Sequence, residues 1–233
     1  MGSVSIIIPN LNDTVHLEQL VRQLNKHRPS KGWEIIVVDG GSEDYPGTIA
    51  AKVDQLLVSN AGRATQLNAG IEFSTGQFIW LLHADSMISA EVCHAIGLLS
   101  ERRSARLLTW GRFDVRFAER SKVLSLVASF MNYRSRLTGI CTGDQGMFVE
   151  RALLGQIGGV PDQKLMEDIE LSRRLKRICA PECRREYLYT SSRRWQKNGI
   201  VRTIVFMWAM RAAYFFGVSP DLLARAYYGR SVE

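Results

Sequence analysis

The chain has 233 residues, of which 46% are hydrophobic and 23% are charged, and its formal net charge is +7. A chain of this length and average composition supports a full hydrophobic core, which excludes a disordered, collagen-like or disulfide-stapled protein. The closest pair of its four cysteines, Cys179 and Cys183, is spaced wrongly for zinc and predicts reduced thiols.

The positive charge is confined to the second half of the chain. Residues 1–100 contain 6 Lys and Arg against 10 Asp and Glu, whereas residues 101–233 contain 24 against 13. This asymmetry indicates an anionic partner for the second half: a nucleic acid, a phosphorylated substrate or an acidic membrane. A solvated basic face is the alternative. The sequence has no helix-turn-helix, zinc-finger or RNA-binding aromatic signature, so we expect no nucleic-acid partner.

The first hundred residues alternate apolar runs with amphipathic stretches. Four runs that are apolar at nearly every position, residues 4–8, 34–38, 56–58 and 78–82, predict buried strands. The stretches between and after them carry apolar residues at helical spacing. Strands that are apolar on both faces need helices on both sides, so the pattern predicts an α/β fold with a Rossmann-like, mostly parallel sheet flanked by helices.

The second half is less regular. It predicts a long strand over residues 107–117 interrupted at Gly111, a helix over 121–136, a short strand over 147–149 and a helix opening at Glu167. A C-terminal helical segment over residues 200–218 is rich in Phe and Trp, but Arg202 and Arg211 interrupt it, so we expect no membrane span. Interfacial contact with a membrane and packing on the sheet both stay open.

The chain also predicts its organisation and location. No repeat or low-complexity linker divides it, so we expect one domain over residues 1–233. The first residues run directly into an apolar strand without a basic region or a cleavage site. We therefore expect no secretory signal and a cytoplasmic protein.

Polar residues stand where the predicted strands end. These are Pro9 and Asn10, Asp39, Asn60, and Asp85. Ligands of open α/β sheets bind outside the carboxyl ends of the strands, so these residues should line one crevice. No G-x-G-x-x-G follows the first strand, which argues against a dinucleotide site.

Two of these strand ends carry specific chemistry. Asp85 is a hard oxygen donor suited to Mg²⁺ or Mn²⁺ held jointly with substrate phosphates, with His83 two positions earlier; a helix cap near Ser89 is the alternative. Asp39 precedes Gly40 and Gly41, so its carboxylate can accept hydrogen bonds from a nucleoside, although glycines also form ordinary turns.

Together these pieces resemble a known family, the family-2 glycosyltransferases of the GT-A fold. The resemblance covers nearly all of the chain and rests on motifs in the expected order. These are residues 5–12 (SIIIPNLN), 34–42 (EIIVVDGGS), 60–63 (NAGR), 68–70 (NAG), 83–85 (HAD) and 166–168 (MED), followed by Leu171 and Arg174. The His-Ala-Asp form looks like that of a bacterial subgroup of small, single-domain enzymes.

The resemblance implies a division of labour. Residues 1–100 would bind the nucleotide and residues 101–233 the acceptor. Asp168 would be the catalytic base in a Glu-Asp motif with Glu167, and Asp85 would ligate Mn²⁺ or Mg²⁺ together with His83, which stands where the family usually has Asp. The residues implied in substrate binding are Pro9, Asn12, Asp39, Gly41, Arg63, Asn68, Asp144, Arg194 and Trp195.

The implied activity is transfer of one sugar from a nucleoside diphosphate sugar to an acceptor hydroxyl, with inversion and metal assistance. Processive members carry Gln-x-x-Arg-Trp, whereas this chain has Ser191 before Arg194 and Trp195, which favours a single transfer. A lipid or a glycan acceptor, and peripheral contact with the inner face of a membrane, stay open. The alternative is a catalytically weak or inactive sugar-nucleotide-binding protein.

Overall fold

One seven-stranded sheet organises the molecule. The computed structural model describes residues 3–29, 31–101, 108–119, 121–193 and 199–229. The sheet has the order β3-β2-β1-β4-β6-β5-β7, in which β6 is antiparallel to β4 and β5 and the other pairs are parallel. The strands are β1 (Val4–Asn10), β2 (Trp33–Asp39), β3 (Gln55–Val58), β4 (Phe78–Leu81), β5 (Trp110–Phe117), β6 (Phe148–Glu150) and β7 (Glu182–Thr190).

Helices cover both faces of this sheet. Ile6 and Ile8 of β1 belong to one apolar layer and Ile7 to the other, as the two-residue period of a strand requires. The helices are α1 (Thr14–His27), α2 (Arg63–Phe73), α3 (Ala90–Glu101), α4 (Lys122–Thr138), α5 (Arg151–Ile157), α6 (Glu167–Lys176), α7 (Ile200–Phe215) and α8 (Pro220–Tyr228). The predicted mostly parallel sheet flanked by helices is confirmed.

The sequence suggested that Gly111 interrupts its strand, but β5 runs through this residue. It lies inside β5, where a Cβ would stand 2.0 Å from the carbonyl oxygen of Glu182 and 2.7 Å from the ring of Phe148. The glycine therefore permits β7 to approach β5 closely. Strand β7 was not among the predicted strands, and it extends the sheet beyond β5.

The C-terminal helices α7 and α8 pack at the start of α6. Met210 of α7 and Leu223 of α8 form a buried cluster with Met166, directly before α6. On another side, Trp208 of α7 packs against Phe130 of α4, with ring centroids 5.4 Å apart. Among the described residues, no helix combines the length and the apolarity that crossing a bilayer would require.

Candidate active site

The carboxyl ends of the parallel strands open into a pocket of about 530 Å³. Four of the residues that the sequence assigned to binding line it: Pro9, Arg63, His83 and Asp85. The further lining residues are Asn10, Leu11, Asp13, Ala61, Gly62, Gln66, Ala84, Lys164, Ala224 and Tyr228. The pocket lies where the topology of the sheet predicts a ligand.

Asp39 organises the turn behind this pocket. Its side chain is buried and accepts four hydrogen bonds, from Asn10 Nδ2 at 2.9 Å, Gly41 N at 3.0 Å, Ser42 N at 2.9 Å and Ser42 Oγ at 2.6 Å. Burial alone would raise the pKa of Asp39, but the bonds from Ser42, Asn10 and Gly41 outweigh it and hold the pKa below its usual value. Asp39 is therefore a buried anion that fixes the loop after β2.

Asn12, in the loop after β1, is hydrogen-bonded to the turn after β2 that contains Gly41. Asn12 has a left-handed backbone with φ of 53°, and its Oδ1 accepts a hydrogen bond from Glu43 N at 2.8 Å. Its own amide donates to Ser42 Oγ, also at 2.8 Å. Gly41 has φ of 86°. Because such backbone conformations suit Asn and Gly, these two residues shape the loop next to Leu11 and Pro9.

Asn10 lines the pocket, as its place at the end of β1 predicted, whereas Gln66 was missing from the predicted site. Asn10 is 1% exposed, and its Oδ1 accepts no hydrogen bond from the described residues. Gln66 Nε2 donates to the carbonyl oxygens of Asn10 at 2.7 Å and Val38 at 2.8 Å, which ties α2 to the ends of β1 and β2. The signal for Gln66 was its place on the buried face of α2, one turn before Gly70.

Arg63, His83 and Gly143 form a close contact at the far side of the pocket. A Cβ on Gly143 would stand 1.8 Å from Arg63 Nη2 and 2.5 Å from His83 Nε2, so both side chains pack against its backbone. Arg63 Nη1 lies 3.2 Å from Glu167 Oε1. Burial, then the charge of Arg63, holds the pKa of His83 well below its usual range, so the imidazole is neutral near pH 7.

The Glu167–Asp168 pair stands at the N-terminus of α6. Gly143 N donates to Asp168 Oδ2 at 2.9 Å, and Ile169 N donates to Asp168 Oδ1 at 2.8 Å. Glu167 is buried; its burial raises the pKa, Arg63 opposes this, and Asp168 adds to it. Met166, directly before the pair, has a left-handed backbone with φ of 66°. Such strain at a non-glycine residue is typical of functional sites.

Carboxylates also converge near Asp85. Burial raises the pKa of Asp85, the nearby Asp13 and Asp144 raise it further, and Arg193 and His16 partly offset them. Arg193 Nη2 reaches Asp13 Oδ2 at 2.9 Å and Asp85 Oδ2 at 3.9 Å. A cation placed here would relieve the repulsion between the carboxylates.

The donor set fits a cation that phosphates help to hold. Within the described ranges, no three His, Cys, Asp or Glu side chains are arranged around one metal position. Mg²⁺ and Mn²⁺ in nucleotide sites are bound by one or two carboxylates, water and substrate phosphates. Asp85 supplies such a carboxylate, and the buried Nε2 of His83 has no hydrogen-bond partner among the described residues.

Two of the predicted residues that the structure describes, Asn68 and Asp144, do not line the pocket. Both amide atoms of Asn68 bind the backbone of Val160, at 2.8 and 2.9 Å, so this side chain holds the turn after α5 rather than facing the pocket. Arg194 and Trp195 lie outside the described residues. Asp144 lies between Gly143 and the buried Gln145, and its Oδ1 is buried without a partner in the described structure.

The fold and the site together define the class of GT-A glycosyltransferases, in which a Rossmann-like sheet carries a nucleotide site at its carboxyl edge. The chain belongs to glycosyl transferase family 2, whose model matches residues 5–154. This confirms the family resemblance seen in the sequence.

Known proteins support this assignment. The probable glycosyltransferase YdaM of Bacillus subtilis is 26% identical in an alignment 202 positions long, which covers 75% of this chain and 47% of that protein. The beta-monoglucosyldiacylglycerol synthase of Trichormus variabilis is 25% identical in an alignment 198 positions long, which covers 74% of this chain and 41% of that protein. The chain thus spans less than half of the length of either relative.

A solved structure shares the fold. The mannosyltransferase PcManGT of Pyrobaculum calidifontis, in complex with GDP-Man and Mn²⁺, superposes with a TM-score of 0.64 and 18% sequence identity. The match covers 97% of this chain and 64% of that protein. At this identity the likeness establishes the GT-A fold.

Proposed function

We propose that this protein transfers a single sugar, with inversion, from a nucleoside diphosphate sugar to an acceptor hydroxyl. One observation carries the proposal. The backbone of Gly143 donates to Asp168 while it packs against Arg63 and His83. This contact brings a carboxylate suited to proton abstraction next to an arginine and a histidine at the edge of the strand-end pocket.

The nucleoside would occupy the pocket beside Pro9 and Asn10. The unpartnered Oδ1 of Asn10 is an acceptor for an N–H of a base, which both uracil and guanine offer. All four hydrogen bonds to Asp39 come from the protein itself, so a base would contact this carboxylate only by displacing a donor such as Ser42 Oγ. UDP-sugars and GDP-sugars both stay open as donors.

The diphosphate would lie against Arg63. The guanidinium bridges to Glu167 through Nη1 and keeps a buried Nε without a partner in the described structure. Charge-assisted hydrogen bonds from such a group suit a phosphate. Asp85 would hold Mn²⁺ or Mg²⁺ jointly with the diphosphate, and His83 would face the same group. When bound, the cation neutralises charge that develops on the departing diphosphate.

Asp168 is the proposed base. Each of its carboxylate oxygens accepts one backbone hydrogen bond, which fixes its orientation and leaves a lone pair for an acceptor hydroxyl. As the hydroxyl oxygen attacks the anomeric carbon, its proton passes to Asp168, and the bond from that carbon to the diphosphate breaks. Inversion follows from this single displacement. Asp144 would bind the acceptor through its unpartnered Oδ1.

The test compares Asp168→Asn with Asp162→Asn, an exposed aspartate six residues earlier. Release of nucleoside diphosphate is measured with a panel of UDP- and GDP-sugars, Mn²⁺ and candidate acceptors. We expect Asp168→Asn to bind UDP or GDP as the wild type does and to transfer sugar about 10³-fold more slowly. The Asp162 variant should match the wild type. Unchanged transfer by a folded Asp168→Asn protein would refute the base assignment.

A sugar-nucleotide-binding protein without transferase activity is the second candidate. It is favoured by His83, which stands where the family pattern usually has a second carboxylate. Binding of UDP or GDP by calorimetry, with no nucleoside diphosphate released from any sugar nucleotide and any acceptor in the presence of Mn²⁺, would support this candidate.

We also propose that α4 and α7 contact an anionic membrane surface. Both helices expose apolar side chains, which include Leu126 (71% exposed), Phe130, Val205, Trp208 and Phe215 (84% exposed). Neither helix contains Asp or Glu, and three of their basic residues, Lys122, Arg136 and Arg202, are exposed. Apolar side chains among basic ones are typical of interfacial helices.

Vesicle flotation at low salt tests this contact. The protein should float with vesicles of phosphatidylglycerol and phosphatidylcholine, and the double variant Leu126→Ser, Trp208→Ser should float several-fold less. Leu98→Ser is the matched control, because Leu98 is 48% exposed on α3, another helix of the molecule. Equal flotation of all three proteins, or none, would contradict the membrane contact.

A further inference from the structure

Two arginines meet where α4 packs against α7. The helices touch through Phe130 and Trp208. Arg134 lies four residues after Phe130, and Arg211 lies three residues after Trp208. Residues three or four apart share a helix face, so each arginine lies on the face of its helix that bears the aromatic contact. The charge of Arg211 acts on Arg134, which indicates that the two lie near each other.

Both guanidinium groups have buried donors without acceptors. Nε and Nη2 of Arg134 and Nε of Arg211 are inaccessible to solvent and form no hydrogen bond with the described residues. Buried polar groups are satisfied in the great majority of cases, and each exception calls for a partner that is absent from the protein itself. Two arginines with this deficit at one junction indicate a ligand with several acceptor oxygens.

The pKa of Arg134 indicates which charged side chains lie near this junction. Burial lowers the pKa of Arg134 to about 10, and the positive charge of Arg211 lowers it as well. Asp144 and Asp168 act in the opposite direction, so both carboxylates lie within electrostatic reach of Arg134. Neither arginine lines the strand-end pocket. The pair therefore stands on the side of Asp168 that belongs to the second half of the chain.

We propose that Arg134 and Arg211 bind a phosphoryl group of the acceptor. The planar guanidinium fork matches phosphate oxygens, and two forks at one junction can hold one phosphate. This inference rests on the proposed function, because it takes the Asp168 side of the pocket to be the acceptor side. It adds the chemical class of the acceptor: a molecule that carries both a hydroxyl and a phosphate.

The phosphate has two sources, a soluble phosphorylated metabolite or a phospholipid headgroup. The first is tested by calorimetry with inorganic phosphate and glycerol 3-phosphate, and the second by flotation with phosphatidylcholine vesicles with and without phosphatidic acid. The proteins are the wild type, Arg134→Gln, Arg211→Gln and Arg22→Gln. Arg22 is an exposed arginine of α1, outside the two helices of the proposed membrane contact, and provides a charge-matched control.

We expect each Gln variant at Arg134 or Arg211 to bind the phosphate probe about tenfold more weakly, as the loss of one charged hydrogen bond predicts. Arg22→Gln should bind as the wild type does. Soluble binding that glycerol 3-phosphate shares identifies a metabolite, and binding seen only with phosphatidic acid identifies a lipid. Equal affinity of all four proteins, or no binding by the wild type to any probe, would overturn the proposal.

Thermal unfolding distinguishes phosphate binding by the two arginines from a purely structural role. Removal of an unpaired buried charge should leave the melting temperature unchanged or raise it in the absence of phosphate, and only the wild type and Arg22→Gln should gain stability when phosphate is added. A large loss of stability in Arg134→Gln without phosphate would assign the arginines to the fold. These assays omit the sugar donor, so a failure of sugar transfer leaves their result standing.

Discussion

Substituting alanine for Gly143 tests how tightly the site is assembled. The new Cβ would stand 1.8 Å from Arg63 Nη2, whereas ordinary contacts begin near 3.4 Å, so this end of Arg63 must retreat by about 1.6 Å. The backbone of Gly143 is not among those with positive φ, so alanine fits the main chain itself. The perturbation therefore falls on the side chains of Arg63 and His83.

The expected loss of stability follows from the ion pair between Arg63 and Glu167, which the displaced Arg63 no longer forms. Glu167, whose side chain is only 6% exposed, loses its partner at 3.2 Å. Because Arg63 itself is partly solvated, we expect a loss of about 1–2 kcal/mol in the free energy of unfolding, well below the value for a fully buried pair. A misplacement of about 1 Å at a reacting centre can lower the rate about 100-fold, so turnover should fall by at least that factor.

The control is Gly155→Ala in α5, where an added Cβ meets no atom within 4 Å. This change should raise the free energy of unfolding by roughly 0.5–1 kcal/mol, since alanine is the better helix former, and should leave activity unchanged. Thermal denaturation, calorimetry with UDP or GDP and Mn²⁺, and nucleoside diphosphate release are measured for both variants. Wild-type affinity and turnover in Gly143→Ala would refute the reasoning.

Three further predictions concern residues around the site and the sheet. Asp39→Asn should lower the free energy of unfolding by about 2 kcal/mol at pH 7. Because the folded pKa of Asp39 is lowered, this stability advantage of the wild type is complete above about pH 4 and is lost as the pH falls through the folded pKa. Urea denaturation at pH 7 and pH 3 measures the difference. Asn68→Ala should lower the free energy of unfolding by about 1–2 kcal/mol in thermal denaturation, because its hydrogen bonds to Val160 are lost, yet it should bind UDP or GDP like the wild type. Weaker binding would show that Asn68 contributes to the nucleotide site. Gly111→Ala should cost more than about 3 kcal/mol in the same denaturation, because the clash is with the backbone of Glu182.

The sequence predicted the elements whose composition shows that they are buried. The apolar runs of β1, β2 and β4 indicate strands covered by helices on both faces of the sheet. Strand β7 carries Arg184 between Glu182 and Glu186, and these charges pair with one another at the surface, at 3.0 and 2.5 Å. The charges fill the first half of the strand, so the apolar signal is confined to its end, where Leu188 is fully buried.

The candidate site was predictable only in part, for a similar reason. Asp39 and Asp85 stand at strand ends and follow from the topology. The buried donors of Arg134 and Arg211 that lack acceptors belong to two helices that are distant in sequence and touch through Phe130 and Trp208. No local spacing in the sequence predicts them. The Asn68 prediction came from a motif position, and the side chain was found to serve the turn at Val160 instead.

The strand-end pocket draws its lining from distant parts of the described chain. Pro9 and Asn10 of β1 line it, and so do Ala224 and Tyr228 of α8. During synthesis on the ribosome, β1 emerges long before α8, so a folded intermediate without α8 would present a more open crevice. A ligand of this pocket would therefore meet the complete lining only after α8 has emerged.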